Sequence, residues 1–488
     1  MKDNKIMKRK SQYRDIDISE EFLSECEEKF YSEPANIIAK NAINSVGSMF
    51  STINSKRVNE ISHIFLNSVK RKNLRSTNQG ASGRCWMFAA LNTFRHLIIN
   101  ALDLDNFEFS EVYLFFWDKL ERSNSYLKWF IEHPEEKPGS RAHEYMITDY
   151  MSDGGWWNTF ANLVNKYGIV PQSAMKETYQ SDDSDEMNKI IKERLDSTVN
   201  YLFYNREKMT SEEIESLRKT TVSKIYEILV KFLGEPPKKF EWHFSHNDEE
   251  SCGIVTKLTP RTFLEMVSPG VDMNGDFVTL AHIPMTNLRY YQNYNISMTN
   301  NVSEGETFRF CNVPVDELVK YALKSISSGF AVWFSGDVRK SFNWFHSSLD
   351  DKLDDSALVF GETEKFEKGD RIMMRNVQGN HAMLLTGYNL DEKGNPVSWQ
   401  VENSWGYYDN EIPGLDGFLR MSHSWFKKYV IDIVVHKDFL SRTMRKKISQ
   451  KPIDLDPWDC MAPATRVGVY NPPKGYLETL SKRAKLKV

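Results

Sequence analysis

Two periods of apolar residues alternate along this chain, and the change from one to the other divides it. A polar arm with a helical stretch around Ile18–Phe30 comes first, and residues 46–78 hold short strand-like pieces. From Gln79 a polar, glycine-containing loop runs into Met87, Leu91, Phe94 and Ile98. Their spacings of four, three and four mark the buried face of a helix. Ser110 is placed to cap a second, very apolar helix carrying Tyr113-Leu-Phe-Phe-Trp-Asp-Lys. A third helix, Asn158–Tyr167, is ended by Gly168. From about Ser181 to Leu233 the sequence is charged and helix-forming, and Gly234-Glu-Pro-Pro breaks it. Residues 236–325 mix aromatic and β-branched runs with one helix near Val315–Ser327. From Phe330 strands take over: Ala331–Phe334, Ser356–Phe360, His381–Tyr388 and Val397–Asn403. Helices followed by strands predict an α+β fold.

Composition narrows the setting. The 488 residues allow two or three domains with a large core. A net charge of −4 gives no whole-chain case for nucleic acid. The five cysteines (Cys26, Cys85, Cys252, Cys311, Cys460) are scattered, with no CxxC or zinc spacing, so we expect a reducing, cytoplasmic compartment and no metal. The charged N-terminal decapeptide is not a signal peptide, and no apolar run approaches the roughly 20 residues of a membrane span.

Candidate chemistry centres on Cys85. It stands at a predicted helix start, where the dipole and unpaired N–H groups favour a thiolate. Gln79, six residues earlier, offers a side-chain donor beside the same point, half of an oxyanion hole. The base must come from elsewhere. His96 is eleven residues along the same helix, roughly 16 Å away. His381 opens an apolar strand, and a hairpin centred near Glu392 sets Tyr388 opposite Pro396 and His381 opposite Asn403. An amide facing an imidazole fixes its tautomer and orientation, and Trp405 is placed to shield the bond. Asp153-Gly154-Gly155 adds a paired glycine that allows close approach of a ligand; an ordinary helix-entry turn is the alternative.

Together, Gln79…Cys85-Trp86, His381-Ala382 and Asn403-Ser404-Trp405-Gly406 resemble the papain clan of cysteine peptidases. Tyr113-Leu-Phe-Phe-Trp-Asp-Lys, Gly234-Glu-Pro-Pro, Ala331-Val-Trp-Phe-Ser-Gly-Asp-Val, Val401-Glu-Asn-Ser-Trp-Gly and Pro457-Trp-Asp-Cys-Met are similar to its bleomycin hydrolase and aminopeptidase C family. The resemblance implies a papain-like two-lobed core, one lobe helical and one β-barrel-like, with large helical and hook-like insertions. It implies Cys85 as nucleophile, His381 as general base and acid, Asn403 as its orienter, and Gln79 with the Cys85 N–H as oxyanion donors. Asp153, Gly154 and Gly155 would pair with bound peptide. It further implies a homohexamer, peptide substrates, aminopeptidase activity and no cofactor.

With the composition shifts, this divides the chain into an N-terminal arm (1–45), a helical lobe (46–180), a helical insertion (181–235), a hook-like insertion (236–328), a β lobe (329–450), a segment entering the cleft (451–465) and a basic extension (466–488). The extension is a departure. In the family the chain ends in the cleft, where its carboxylate receives the substrate's amine. Here Cys460 replaces a proline, and the chain runs on past Ala464 and Thr465, the implied substrate-binding end. An endopeptidase, a self-processed precursor, and a hexameric scaffold that binds protein or nucleic acid through the basic tail are the other readings.

Overall fold

The structure, a computed structural model, describes residues 18–69, 75–246, 251–286, 288–406 and 417–462. The chain separates into two compact units. The smaller comprises residues up to Ile61 together with Lys352–Lys365. Helix Glu20–Ser32 is capped by Ser19, and helix Pro34–Val46 opens on a proline whose missing N–H costs nothing there. Short helices Ser48–Ser51 and Ser55–Asn59 take up much of the stretch expected to hold strand-like pieces, of which Asn67–Ser68 is one. Asn54 joins the unit's two segments, donating its N–H to Leu353 O at 2.9 Å and its side-chain amide to Asp355 Oδ1 at 3.1 Å. Ser356–Phe360, expected as a strand, is a helix ended by Gly361 at φ 84°.

A 12-stranded sheet organises the larger unit. Its middle runs Phe277–Ala281, Val430–His436, Val332–Gly336, His381–Leu390, Pro396–Glu402 and Phe418–Ser422, all antiparallel neighbours. Beyond Phe277–Ala281 lie Phe308–Asn312, Gln292–Ile296 and Ile453–Leu455. Ser348–Leu349 and Phe342–Asn343 close the other end, and Asn67–Ser68 pairs with His381–Leu390. Strands from residues 277–312 therefore continue the same sheet as the later strands. Phe240–Ser245 and Cys252–Leu258 form a separate two-stranded sheet.

The alternation of strand side chains makes two cores. Trp333, Ala382, Leu384 and Val434 face one core with the helices Cys85–Leu102, Glu111–Glu132 and Trp157–Tyr167. Val332, Phe334, Met383, Leu385, Ile433 and Val435 face the other, against helix Val315–Ser327 and the Trp425 helix, His423–Tyr429. Residues 181–233 supply helices Asp185–Asn205 and Ser211–Leu233. Met187, Ile191, Leu195, Thr198 and Leu202 bury one face of the first, and Thr221, Ile225, Leu229 and Leu233 one face of the second. The helical caps read from sequence hold: Ser110 Oγ accepts from Tyr113 N–H, and Gly168 ends its helix at φ 74°.

Candidate active site

Cys85 is the first residue of its helix and is fully buried. The helix is enclosed on every side from Cys85 to His96, where the spacing had marked only one buried face. Among the described residues no side chain caps it; Arg84 stands at the cap position. Met87 and Phe88 N–H groups return to Arg84 O at 2.9 and 3.1 Å. The Cys85 amide thus stands at the helix start, where the dipole is positive.

The preceding loop is fixed by short polar bonds. Gln79 N–H donates to Ser404 O at 2.8 Å, its Oε1 accepts from Ser404 Oγ at 2.6 Å, and its Nε2 donates to Ser82 O at 2.7 Å. An amide nitrogen carries two protons, so Gln79 keeps one for another acceptor. Ser82 Oγ donates to Gln79 O at 2.6 Å and accepts from Arg84 Nε at 2.8 Å.

His381 opens strand His381–Leu390, opposite Gly336, and is fully buried. Its Nε2 lies 2.8 Å from Asn403 Oδ1, and Trp405 covers it with ring centroids 4.8 Å apart. The contact was expected, but the hairpin register was not. Tyr388 faces Trp399, and Leu390 takes Pro396. Bulges between Leu385 and Gly387 and between Asn389 and Leu390 shift the register, and ladder pairing begins only at Leu384–Glu402. Asn403 lies one residue beyond its strand and reaches back. It is held there by Ser76 Oγ donating to its carbonyl, by its own N–H to Gly417 O at 3.1 Å and by Ser404 N–H on Oδ1 at 2.9 Å. Burial, only partly offset by the Asn403 bond, pushes the His381 imidazole down to about 4. The two halves of the site meet where Ala382 N–H points at Cys85 Sγ from 3.4 Å.

Asp153-Gly154-Gly155 is not wholly available to a ligand. Asp153 O accepts from the Trp86 indole at 2.7 Å, and Gly154 O from Arg122 Nη2 at 2.8 Å. The Asp153 carboxylate faces inward, to Lys119 Nζ at 2.5 Å, Ser184 Oγ at 2.5 Å, Asn188 Nδ2 at 2.8 Å and Gly83 N–H at 3.4 Å. Burial raises its pKa, but Lys119 and these donors outweigh that and hold it at about 2. Gly155 packs on the fold's own side chains, since a Cβ there would lie 2.6 Å from Trp86 and from Thr159 Oγ1. Ala464 and Thr465 lie outside the described residues. Met461 and Ala462 just before them are buried, and Pro457, Trp458 and Ala462 share a 590 Å³ cavity with Trp156 and Gln378.

Sequence reasoning missed the supports: Ser404 behind Gln79, and Lys119 and Arg122 behind the glycines. The signal for the latter was visible as Asp118, Lys119 and Arg122 directly after the apolar run Val112–Trp117. Arg122 Nε binds Asp118 at 3.0 and 2.8 Å four residues back.

A model of the Peptidase C1-like family matches residues 17–462. The chain belongs to that family. It is 34% identical over 436 residues to Aminopeptidase C of Listeria monocytogenes serovar 1/2a, covering 89% of this chain and 96% of that one. It is 31% identical over 442 residues to Bleomycin hydrolase of Homo sapiens, again covering 89% and 96%. The crystal structure of PepW from Lactobacillus rhamnosis HN001 superimposes with a TM-score of 0.86 at 30% identity, covering 91% of this chain and 98% of that one.

Proposed function

We propose that this protein is a papain-like cysteine aminopeptidase, which removes N-terminal residues from peptides through an acyl-enzyme. The observation that carries this reading is the meeting of a helix start bearing Cys85 with an imidazole held by Asn403, joined at Ala382 N–H and Cys85 Sγ. With Nε2–H donated to Asn403 Oδ1, His381 has Nδ1 for the thiol proton. Cys85 Sγ attacks the substrate carbonyl carbon as its proton passes to His381. The carbonyl oxygen, now an anion, takes hydrogen bonds from Cys85 N–H and the second Gln79 Nε2 proton. His381 then protonates the departing amine, leaving a thioester. Water, deprotonated by the same imidazole, hydrolyses the thioester and restores the thiol.

Substrate backbone pairs along the Asp153-Gly154-Gly155 stretch, where the carbonyls of Asp153 and Gly154 are engaged within the fold and Gly155 is itself a bridge residue. The separation of the core into two hydrophobic clusters supports a two-lobed reading. The names of the relatives, Aminopeptidase C and Bleomycin hydrolase, support action at a free amino terminus. The position of Pro457, Trp458 and Ala462 supports a C-terminal segment that closes one end of the cleft. Assembly of six copies and a cytoplasmic location complete this reading. Among the described residues no helix is long and apolar enough to cross a membrane.

The test compares kcat/KM on fluorogenic peptide amides with a free or an acetylated N-terminus. Preference for the free amine is expected. Equal or better cleavage of the acetylated series would make the protein an endopeptidase.

A further inference from the structure

A second cavity, of 290 Å³, lies beside the oxyanion loop. Its lining includes four carboxylate residues, Glu108, Glu111, Glu177 and Asp182, together with Asn78 and Gly406. Asn78 adjoins Gln79, Gly406 adjoins Trp405, and Asn78 and Trp405 are bridged to each other. The cavity therefore flanks the strip that joins the oxyanion donor to the residue covering His381.

The charges in this cavity do not balance. Arg84 serves Glu177, with Nη1 and Nη2 at 3.2 and 2.8 Å. Arg95 Nη2 stands 3.6 Å from Glu108 Oε1, while its Nη1 is also shared with Glu402 at 3.8 Å. Glu111 is only 2% exposed, and its Oε1 has no hydrogen-bond partner among the described residues. A buried carboxylate oxygen without a donor is costly, and the cost disappears when a cation with N–H groups arrives. Burial, then Glu177 and Glu108, hold the Glu111 carboxyl well above the usual range. Asn78 and Asp182 are exposed, which leaves the cavity reachable from solvent.

The volume lies near the roughly 300 Å³ lower limit of small-molecule sites, enough for one side chain. Among the described residues no three His, Cys, Asp or Glu side chains converge to hold a metal ion. A long organic cation fits better. None of this cavity's lining residues is shared with the cavity formed by Trp156 and Pro457–Trp458. In an aminopeptidase closed on that side, the rest of the substrate leaves on the other.

We infer that this cavity is a subsite for a lysine or arginine side chain on the leaving-group side of the scissile bond. The inference rests on the aminopeptidase reading above. The test uses the full chain and peptides with a free N-terminus, carrying lysine, arginine or norleucine at the first, second or third position after the cleaved bond. At one of these positions a basic residue raises kcat/KM over norleucine on the order of tenfold, the scale of one charged hydrogen bond. Glu111→Gln brings that ratio close to one and leaves norleucine peptides cleaved at the wild-type rate. Asp182→Asn, at the exposed mouth, lowers the same ratio and serves if Glu111→Gln does not fold. Wild-type protein that cleaves norleucine and basic peptides equally at all three positions overturns the subsite, as does a ratio unchanged in both variants. Failure to cleave any free-amine peptide is a different result, because it removes the aminopeptidase reading itself.

Discussion

The backbone amide of Ala382 points at Cys85 Sγ from 3.4 Å. The residue that follows the imidazole in sequence is thus in contact with the sulfur, although the two are separated by 297 positions. Any change that shifts this strand end relative to the cysteine helix alters the distance between His381 and Cys85.

Replacing the sulfur is the most direct check. Cys85→Ala abolishes amide hydrolysis and leaves the fold intact, since a buried small side chain replaces another. Circular dichroism and thermal melting should match the wild type while turnover is lost. A folded Cys85→Ala protein that keeps most activity would refute the mechanism.

The imidazole and its holder differ in rank. His381→Ala removes both base and acid and costs several orders of magnitude in kcat. Asn403→Ala leaves the base but frees its ring, so the loss is smaller. Gln79→Ala removes one oxyanion donor, for a loss of about 10²–10³ in kcat. It also releases Ser404 and Ser82, so melting temperatures must be read beside the rates. An Asn403→Ala loss equal to that of His381→Ala would contradict the assigned roles.

Asp153 acts through others. Asp153→Ala leaves Lys119 buried without its carboxylate, and breaking such a pair costs about 3–5 kcal/mol. It also unties Gly83 of the cysteine loop from Ser184 and Asn188. Denaturant unfolding reads the first effect. For the second, Asp153→Asn keeps the shape, and its kcat should fall more than its KM rises. An unchanged kcat in a stable Asp153→Asn protein would show that the loop needs no tether.

Acid should unfold the protein through its buried histidines. His282 donates from Nδ1 to Val313 O at 3.0 Å, and burial, with Lys368 nearby, lowers its pKa to about 3. Its unfolded value is about 6.5. Between those two pH values the unfolded chain binds a proton that the folded chain refuses, so stability falls as pH falls through that window. His282→Asn keeps an N–H near Nδ1 but cannot titrate. Its melting temperature should drop less than the wild type's between pH 7 and pH 4.5; an identical drop would remove His282 from the cause.

Short-range signals were legible in the sequence. Ser110, Gly168 and the Val315–Ser327 helix were placed correctly because caps and period are local properties. Ser356–Phe360 was misread because its four consecutive apolar residues show no period, although Gly361 behind them is a helix stop. The hairpin register failed at two bulges that leave no mark on the alternation. His381 and Asn403 still meet, because the asparagine turns back beyond its strand. The enclosure of the cysteine helix was invisible for another reason: Trp333, Ala382 and Leu384, which pack on its core, come from far along the chain. Lys119 and Arg122 showed as charges after the apolar run Val112–Trp117, but their partners, Asp153 and Gly154, belong to a later loop.

Strand Val430–His436 lies between Phe277–Ala281 and Val332–Gly336, both of which precede it in the chain. During translation those two strands emerge with a gap between them that only residues close to the end of the described chain can fill. The nascent polypeptide carries its cysteine long before it carries His381, Asn403 or the strand that closes the sheet. Synthesis itself therefore delivers Cys85 well before His381 and Asn403. Contacts this distant in sequence also form slowly. Full-length chains released from the ribosome should accordingly pass through an inactive interval before the first turnover.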